Sequence, residues 1–217
     1  MVWLFNAFDF LCKGGPVMAP LMLCSIVSIT VIIERYVRLK QAAGDSVSLT
    51  ARVEDLLALG KYREAIHTCE RDGTPLGNML ASGLKCSDAR QAERCMEEQA
   101  LKAMPEAYKR LSILDTIVTI APLLGLLGTV TGMIRSFHVI STKTGLGTPT
   151  AITGGVAEAL IATATGLAIA IVTLVAYNSL IERAKIIMSE LETYGTRMVN
   201  TLSSGEEWKH EAKAVGA

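Results

Sequence analysis

The stretch Thr116-Ile-Val-Thr-Ile-Ala-Pro-Leu-Leu-Gly-Leu-Leu-Gly-Thr-Val-Thr-Gly-Met-Ile134 contains 19 residues without a charge, and it decides the class of this fold. A helix rises 1.5 Å per residue, so 19 residues reach roughly 30 Å, the thickness of a bilayer core. Residues 14–33 are also uncharged, and the 38 residues between Lys143 and Glu182 contain one charge, Glu158. Because a 217-residue soluble domain rarely needs three such stretches, the pattern predicts three membrane spans.

The composition excludes several other classes of protein. Lys plus Arg and Asp plus Glu each number 21, so the chain has no net charge and lacks the basic footprint of a nucleic-acid-binding protein. Half of the residues are hydrophobic, which excludes intrinsic disorder. The five cysteines form no CxxC pair, so we expect free thiols, no metal site and no cofactor.

Lys and Arg residues near the span ends predict the orientation, because they collect on the cytoplasmic side of a membrane. Eight of them lie on one side: Arg35, Arg38, Lys40, Lys102, Lys109, Arg110, Arg183 and Lys185. Three lie on the other: Lys13, Arg135 and Lys143. This asymmetry predicts a cytoplasmic C-terminus and an N-terminus outside, in the periplasm of a Gram-negative cell.

These features predict an all-α, polytopic membrane protein with three transmembrane helices, two of them extended into a cytoplasmic helical bundle. The expected segments are an interfacial N-terminal helix (1–13), span 1 (14–33), a cytoplasmic helical loop (34–115), span 2 (116–134), a periplasmic connection (135–148), span 3 (149–181) and a cytoplasmic helical tail (182–217).

Two helices are expected to extend beyond the spans. Good helix formers from Asp88 to Tyr108 predict a helix that continues into span 2, with Pro105 either kinking it or marking a break. An apolar stripe from Ile187 to Leu202 continues the helix of span 3, and we expect Ser203-Ser-Gly205 to end it.

Glu158 is the most informative single residue. A carboxylate within a span costs a few kcal/mol and persists where it faces protein or water. The pattern favours a role of Glu158 in transport. The alternatives are that Glu158 lies at the membrane boundary or only forms a hydrogen bond to a neighbouring helix. Threonines accompany it on spans 2 and 3: Thr129, Thr131, Thr150, Thr153, Thr163 and Thr165. Each alone is best explained by a hydrogen bond to its own helix, but together they indicate a narrow polar path.

Small residues accompany this polar path. Gly128 and Gly132 form a GxxxG pair on span 2, and Ala162 and Gly166 form a row with Ala170 on span 3. Such rows let helix backbones approach closely in lipid. We therefore expect spans 2 and 3 to pack together at these residues.

Two stretches carry a resemblance to a known family. The first is Leu111-Ser-Ile-Leu-Asp-Thr-Ile-Val-Thr-Ile-Ala-Pro-Leu-Leu-Gly-Leu-Leu-Gly-Thr-Val-Thr-Gly-Met-Ile-Arg-Ser-Phe137. The second is Gly154-Gly-Val-Ala-Glu-Ala-Leu-Ile-Ala-Thr-Ala-Thr-Gly-Leu-Ala-Ile-Ala-Ile-Val-Thr-Leu-Val-Ala-Tyr-Asn178. Both resemble the MotA/TolQ/ExbB proton channel family, most closely its ExbB and TolQ members.

The resemblance implies an inner-membrane subunit, not an enzyme, that forms a ring in the lipid, generally a pentamer, around an ExbD/TolR-like single-span partner. Proton flow through the complex would energise a TonB- or TolA-like protein, and the partner would supply the proton-carrying aspartate. By motif position, Thr129, Glu158 and Thr163 correspond to polar pore residues, and Asn178 to a further polar position. Glu158 would either tune the electric field or hold the helices together. The alternative function is a membrane scaffold that conducts nothing.

Overall fold

The computed structural model describes residues 14–86, 88–142 and 149–215, and every regular element in this part of the chain is a helix. The helices are α1 (Met18–Ala42), α2 (Ser46–Ala58), α3 (Tyr62–Asp72), α4 (Pro75–Leu84), α5 (Ala89–Tyr108), α6 (Leu111–Thr142) and α7 (Pro149–Val215). The predicted all-α class is therefore confirmed. The expected N-terminal helix at 1–13 lies outside the described residues.

Three stretches are long and apolar enough to cross a membrane, as the sequence predicts. They are Met18–Ala58, Ala89–His138 and Thr153–Ser204, and they contain α1 and most of α6 and α7. Large apolar side chains on these three helices are exposed to the surroundings of the chain, among them Ile26, Leu126 and Ile171. Contact with lipid or with other membrane helices would cover such side chains.

The chain divides into two compact units. The first unit comprises Met1–Glu34 and Arg110–Ser179. Its buried core joins the start of α1 to α6 and α7 through Val17, Met18, Leu21, Ile117, Ala121, Ala162 and Ala170. Inside it, the hydroxyl groups of Ser28 on α1 and Thr173 on α7 share a buried hydrogen bond of 2.7 Å. Such an interhelical bond satisfies two polar groups that would otherwise meet only hydrocarbon.

The second unit comprises Arg35–Lys109 and Leu180–Ala217. Its apolar core unites α2 to α5 with the later part of α7, through residues such as Val53, Leu80, Met96 and Met198. Across it, Arg197 binds the carboxylate of Glu54 with two hydrogen bonds, of 2.5 and 2.6 Å.

The ends of the short helices follow from their sequences. Asp45, Thr74 and Asp88 accept hydrogen bonds from main-chain N–H groups in the first turns of α2, α4 and α5. Pro75 occupies the first position of α4, where its missing N–H is harmless, and Gly73 ends α3 at φ 68°, a left-handed conformation that glycine adopts freely.

The prediction that the helix of residues 88–108 continues into span 2 is wrong. Helix α5 contains Pro105 and ends at Tyr108, and Arg110 takes a left-handed backbone conformation, φ 59°, before α6 begins. The buried side chain of Arg35, only 2% exposed, donates hydrogen bonds to the carbonyl oxygens of Glu106 and Ala107, at 2.6 and 2.7 Å. These bonds satisfy carbonyls that a continuing helix would have used.

The expected end of the last helix at Ser203-Ser-Gly205 is also wrong, because α7 continues to Val215. A serine or glycine inside a helix costs at most about 1 kcal/mol relative to alanine. Glutamate, lysine and alanine dominate the residues that follow, and their helix propensity outweighs this cost.

Candidate functional site

Helices α6 and α7 run antiparallel and approach each other through small residues. A Cβ atom added at Gly128 would lie 2.5 Å from the Cβ of Ala162, and one added at Gly132 would lie 2.9 Å from the Cβ of Ala159. At Gly166 it would lie 2.5 Å from the carbonyl oxygen of Ala121. The structure thus places Gly128, Gly132, Ala162 and Gly166 at one contact within a single chain, where larger side chains would force the backbones apart.

Thr163 lies on this contact and links the two helices by a polar bond. Its hydroxyl group donates a hydrogen bond of 2.9 Å to the carbonyl oxygen of Gly125. A Cβ atom at Gly125 would lie 3.0 Å from the Cα of Thr163, so the glycine permits the approach that the bond requires. Thr163 is half-buried.

Thr129 lies four residues after Gly125 on α6, and therefore one turn further along the same side of this helix. Its hydroxyl group donates to the carbonyl oxygen of Leu126, one turn back on its own helix, at 2.7 Å. Thr131 and Thr165 also donate to carbonyls of their own helices. Thr163 is the exception among these four threonines, since its hydrogen bond crosses to another helix.

Glu158 forms an ion pair near the C-terminal end of α6. The Nη1 atom of Arg135 lies 2.8 Å from the Oε1 atom of Glu158, with the glutamate side chain 20% exposed and the arginine side chain 54% exposed. The carboxylate also packs on Gly15, in the turn before α1, because a Cβ atom there would overlap it. Glu158 precedes Thr163 by five residues, or about 7.5 Å along the helix axis.

Asn178 lies apart from the other predicted site residues. It follows Thr163 by 15 residues, which is roughly 22 Å along α7, and its side chain is exposed. The structure therefore brings Thr163, Glu158 and the four small residues to one helix contact and leaves Asn178 at a different level.

The sequence does not single out Gly125, Arg135 or Gly15 as members of the site. Gly125 precedes Gly128 and Gly132 by three and seven residues, so a helical row of three glycines is the available signal for it. In the sequence, Arg135 indicates only a charge at the membrane boundary. No spacing in the sequence indicates the contact between Glu158 and Gly15, which lie 143 positions apart.

The other groups to consider in the described residues are metal ligands and cysteine thiols. They contain no group of three or more His, Cys, Asp or Glu side chains that could hold a metal ion. Four cysteines in them are free thiols: Cys24, Cys69, Cys86 and Cys95. Burial raises the pKa of the Cys69 thiol to about 11. Burial and the adjacent thiol of Cys95 raise the pKa of Cys86 to about 11 as well.

The α6–α7 contact lies within the part of the chain that is similar to known proteins. The sequence profile of the MotA/TolQ/ExbB proton channel family matches residues 71–193, which include all eight predicted site residues. A Synechocystis protein named biopolymer transport protein ExbB-like 1 is 35% identical over 184 residues, covering 80% of this chain and 70% of that protein. The biopolymer transport protein ExbB of Neisseria meningitidis is 28% identical over 200 residues, covering 83% of this chain and 89% of that protein.

Proposed function

Because this chain belongs to the MotA/TolQ/ExbB proton channel family, we propose that it is the ring-forming subunit of a proton-driven complex in the bacterial inner membrane. Its membership confirms the resemblance of the two motif stretches. Together with an ExbD/TolR-like single-span partner, the subunit would convert the proton motive force into work on a TonB- or TolA-like protein. Its N-terminus would lie in the periplasm and its C-terminus in the cytoplasm, as the distribution of basic residues predicts.

The α6–α7 contact is the observation that carries this proposal. It combines close backbone packing with a hydroxyl group at Thr163 and a carboxylate at Glu158, two polar groups within an otherwise apolar helix pair. Polar groups at membrane depth are costly and are typical of ion pathways.

Thr163 and Thr129 would line the pathway beside the partner's helix. Each hydroxyl group uses its hydrogen to satisfy a main-chain carbonyl, at Gly125 and Leu126 respectively. A hydroxyl oxygen keeps lone pairs that can accept further hydrogen bonds, so both can bind water or a protonated carboxyl of the partner. Neither threonine has to break its internal bond to do so.

The assembly that we propose is a ring of copies of this chain, generally five in the family, around the partner's helices. Exposed apolar residues on α6 and α7, such as Leu123, Val130 and Val175, support coverage by further helices and by lipid. Helices in a membrane associate by packing and interhelical hydrogen bonds, which small residues favour.

A second function is favoured by a different observation. Thr129, Thr163 and Glu158 each have a partner inside the chain, as they would in a scaffold that uses polar bonds only to hold helices together. Such a scaffold of an envelope complex would conduct nothing.

Proton flux separates the two functions. The chain is purified with its single-span partner, placed in liposomes that contain a pH-sensitive dye, and exposed to an imposed membrane potential. The channel proposal expects acidification that requires the partner and exceeds that of liposomes holding this chain alone. An intact complex whose flux equals that of empty liposomes would contradict the channel and support the scaffold.

A further inference from the structure

The carboxylate of Glu158 lies where three elements of the first unit meet. Glu158 itself belongs to α7, Arg135 reaches it from α6, and Gly15 lies against it in the turn that precedes α1. Gly15 has φ +73°, a left-handed conformation in which other residues are strained, and a Cβ atom there would overlap the carboxylate. Both the backbone conformation and the space at position 15 therefore require glycine.

The position of Arg135 is fixed by its neighbour in the chain. Ser136 is buried and donates a hydrogen bond of 3.0 Å to the carbonyl oxygen of Gly132. Its side chain fills the space beside Gly155 of α7, where an added Cβ atom would collide with the Ser136 hydroxyl. This contact lies three residues before Glu158, so it holds the end of α6 on α7 at the level where Arg135 meets the carboxylate.

We propose that Arg135 is a positioning residue that holds the carboxylate of Glu158 against the turn at Gly15, so that Glu158 joins three elements of the first unit and is not part of the proton pathway. This inference rests on the proposed function and assigns a role within it. The charge of a carboxylate at membrane depth needs a compensating partner, and Arg135 supplies one at 2.8 Å. The pair therefore acts as one unit, and the hydroxyl groups further along the α6–α7 contact remain for the proton pathway.

A double-mutant cycle in proton flux tests this unit. Arg135→Gln and Glu158→Gln are each expected to lower the flux of the liposome-embedded complex roughly three- to tenfold, the range of an interhelical polar bond. The double variant should conduct no worse than either single variant, because both remove the same interaction. Arg135→Lys, which keeps the charge, should retain most of the flux. Arg90→Gln, at an exposed arginine of α5, is the matched control and should leave the flux unchanged.

The pH dependence of the proton flux separates the two roles of Glu158. Replacing a residue that relays protons would shift this pH dependence, whereas replacing a residue that only joins helices would not. The described titratable groups at this end of the helices are Arg135 and His138 on α6 and Glu158 on α7. The proposal expects Glu158→Gln to lower the flux at every pH without displacing the profile, and Glu158→Leu to abolish it. A displaced profile in Glu158→Gln, or losses that multiply in the double variant, would overturn the proposal.

Failure of this inference is distinguishable from failure of the proposed function. If the wild-type complex conducts no protons, the channel proposal fails, and the same cycle is then measured as thermal unfolding of the chain in detergent. Equal losses of stability in the two single variants and the double variant would still support the Arg135–Glu158 pair as one unit, whereas additive losses would overturn it.

Discussion

The hydroxyl group of Thr163 on α7 donates a hydrogen bond of 2.9 Å to the main-chain carbonyl oxygen of Gly125 on α6. One residue supplies the polar group and the other the space, since a side chain at Gly125 would keep the helices apart. The same hydroxyl oxygen can accept a further hydrogen bond, so in the proposed channel packing and conduction would meet at a single atom.

The first prediction concerns orientation in the membrane. A reporter that is active only in the cytoplasm should be active when fused after Ala217. A reporter that is active only in the periplasm should be active when inserted near Gly145. The reason is the excess of Lys and Arg beside the loop 34–115 and after the third span. Paired reporters of opposite compartment preference check each site, and the reversed pattern would show that the chain crosses the membrane in the opposite direction.

The second prediction concerns the close contact at Gly132. Gly132→Leu should lower thermal stability and disrupt the proposed ring, because even a Cβ atom would lie 2.9 Å from the Cβ of Ala159 and from the carbonyl oxygen of Gly155. We expect a loss of about 1–3 kcal/mol, as for other overpacked sites. Gly154→Leu is the matched control, because nothing lies within 4 Å of a Cβ atom there.

Native mass spectrometry and thermal unfolding in detergent measure both variants of this pair. We expect Gly154→Leu to assemble like the wild type, whereas Gly132→Leu should not. Equal rings from both variants would mean that the Gly132 side of α6 is not a tight contact.

The third prediction uses the pKa of Cys69, which burial raises from 9.0 to about 11. The folded protein therefore binds the thiol proton more tightly than the unfolded chain does. This stabilisation is complete below pH 9 and is lost as the pH rises towards 11. Because the folded and unfolded pKa values differ by about two, it amounts to at most about 3 kcal/mol.

Thermal unfolding of the wild type and of Cys69→Ala between pH 8 and pH 11 measures this difference. The wild type should lose more stability than the variant over that range, because only the wild type has the thiol to deprotonate. Parallel curves for the two proteins would show that the Cys69 thiol does not titrate on unfolding in this way.

The sequence predicts well that the chain spans a membrane. A charge inside lipid is costly, so a stretch of about 20 residues without a charge indicates a span. The same rule does not mark the ends of the helices. Helix α6 runs from Leu111 to Thr142, well beyond the uncharged stretch 116–134, since a charged residue such as Arg135 does not end a helix and here has a partner in Glu158. The charge pattern therefore indicates the membrane-spanning part and leaves the helix boundaries open.

The candidate site is predictable only in part. Glu158 and the Gly128–Gly132 pair stand out as residue types in an apolar setting. The partners of these residues depend on the register of the helix pair, which a single sequence does not contain. The sequence therefore does not reveal Gly125 as the acceptor of the Thr163 hydrogen bond, or Arg135 as the partner of Glu158. The end of α5 is also not predictable from the sequence, because Arg35 is distant in sequence from the carbonyl oxygens to which it donates hydrogen bonds.

The proposed proton pathway depends on two hydroxyl groups, and matched threonine variants show whether it needs them. Thr163→Val and Thr129→Val remove the two hydroxyl groups that we place on the pathway while keeping the shape of the side chain. Thr165→Val and Thr131→Val remove hydroxyl groups of the same two helices, which bond to their own helices at 2.8 and 2.9 Å as that of Thr129 does, but which do not match the polar pore positions of the family. Loss of the Thr163 hydrogen bond should also cost about 0.6 kcal/mol of stability, too little to prevent assembly.

The deciding measurement is proton flux into liposomes that contain the assembled complex with its partner, for each of these four variants. We expect the flux to fall at least about tenfold in Thr163→Val and in Thr129→Val, equal to about 1.4 kcal/mol in the barrier, while both control variants conduct like the wild type. If Thr163→Val and Thr129→Val assemble and conduct like the wild type, the hydroxyl groups are not the pathway and the account is contradicted.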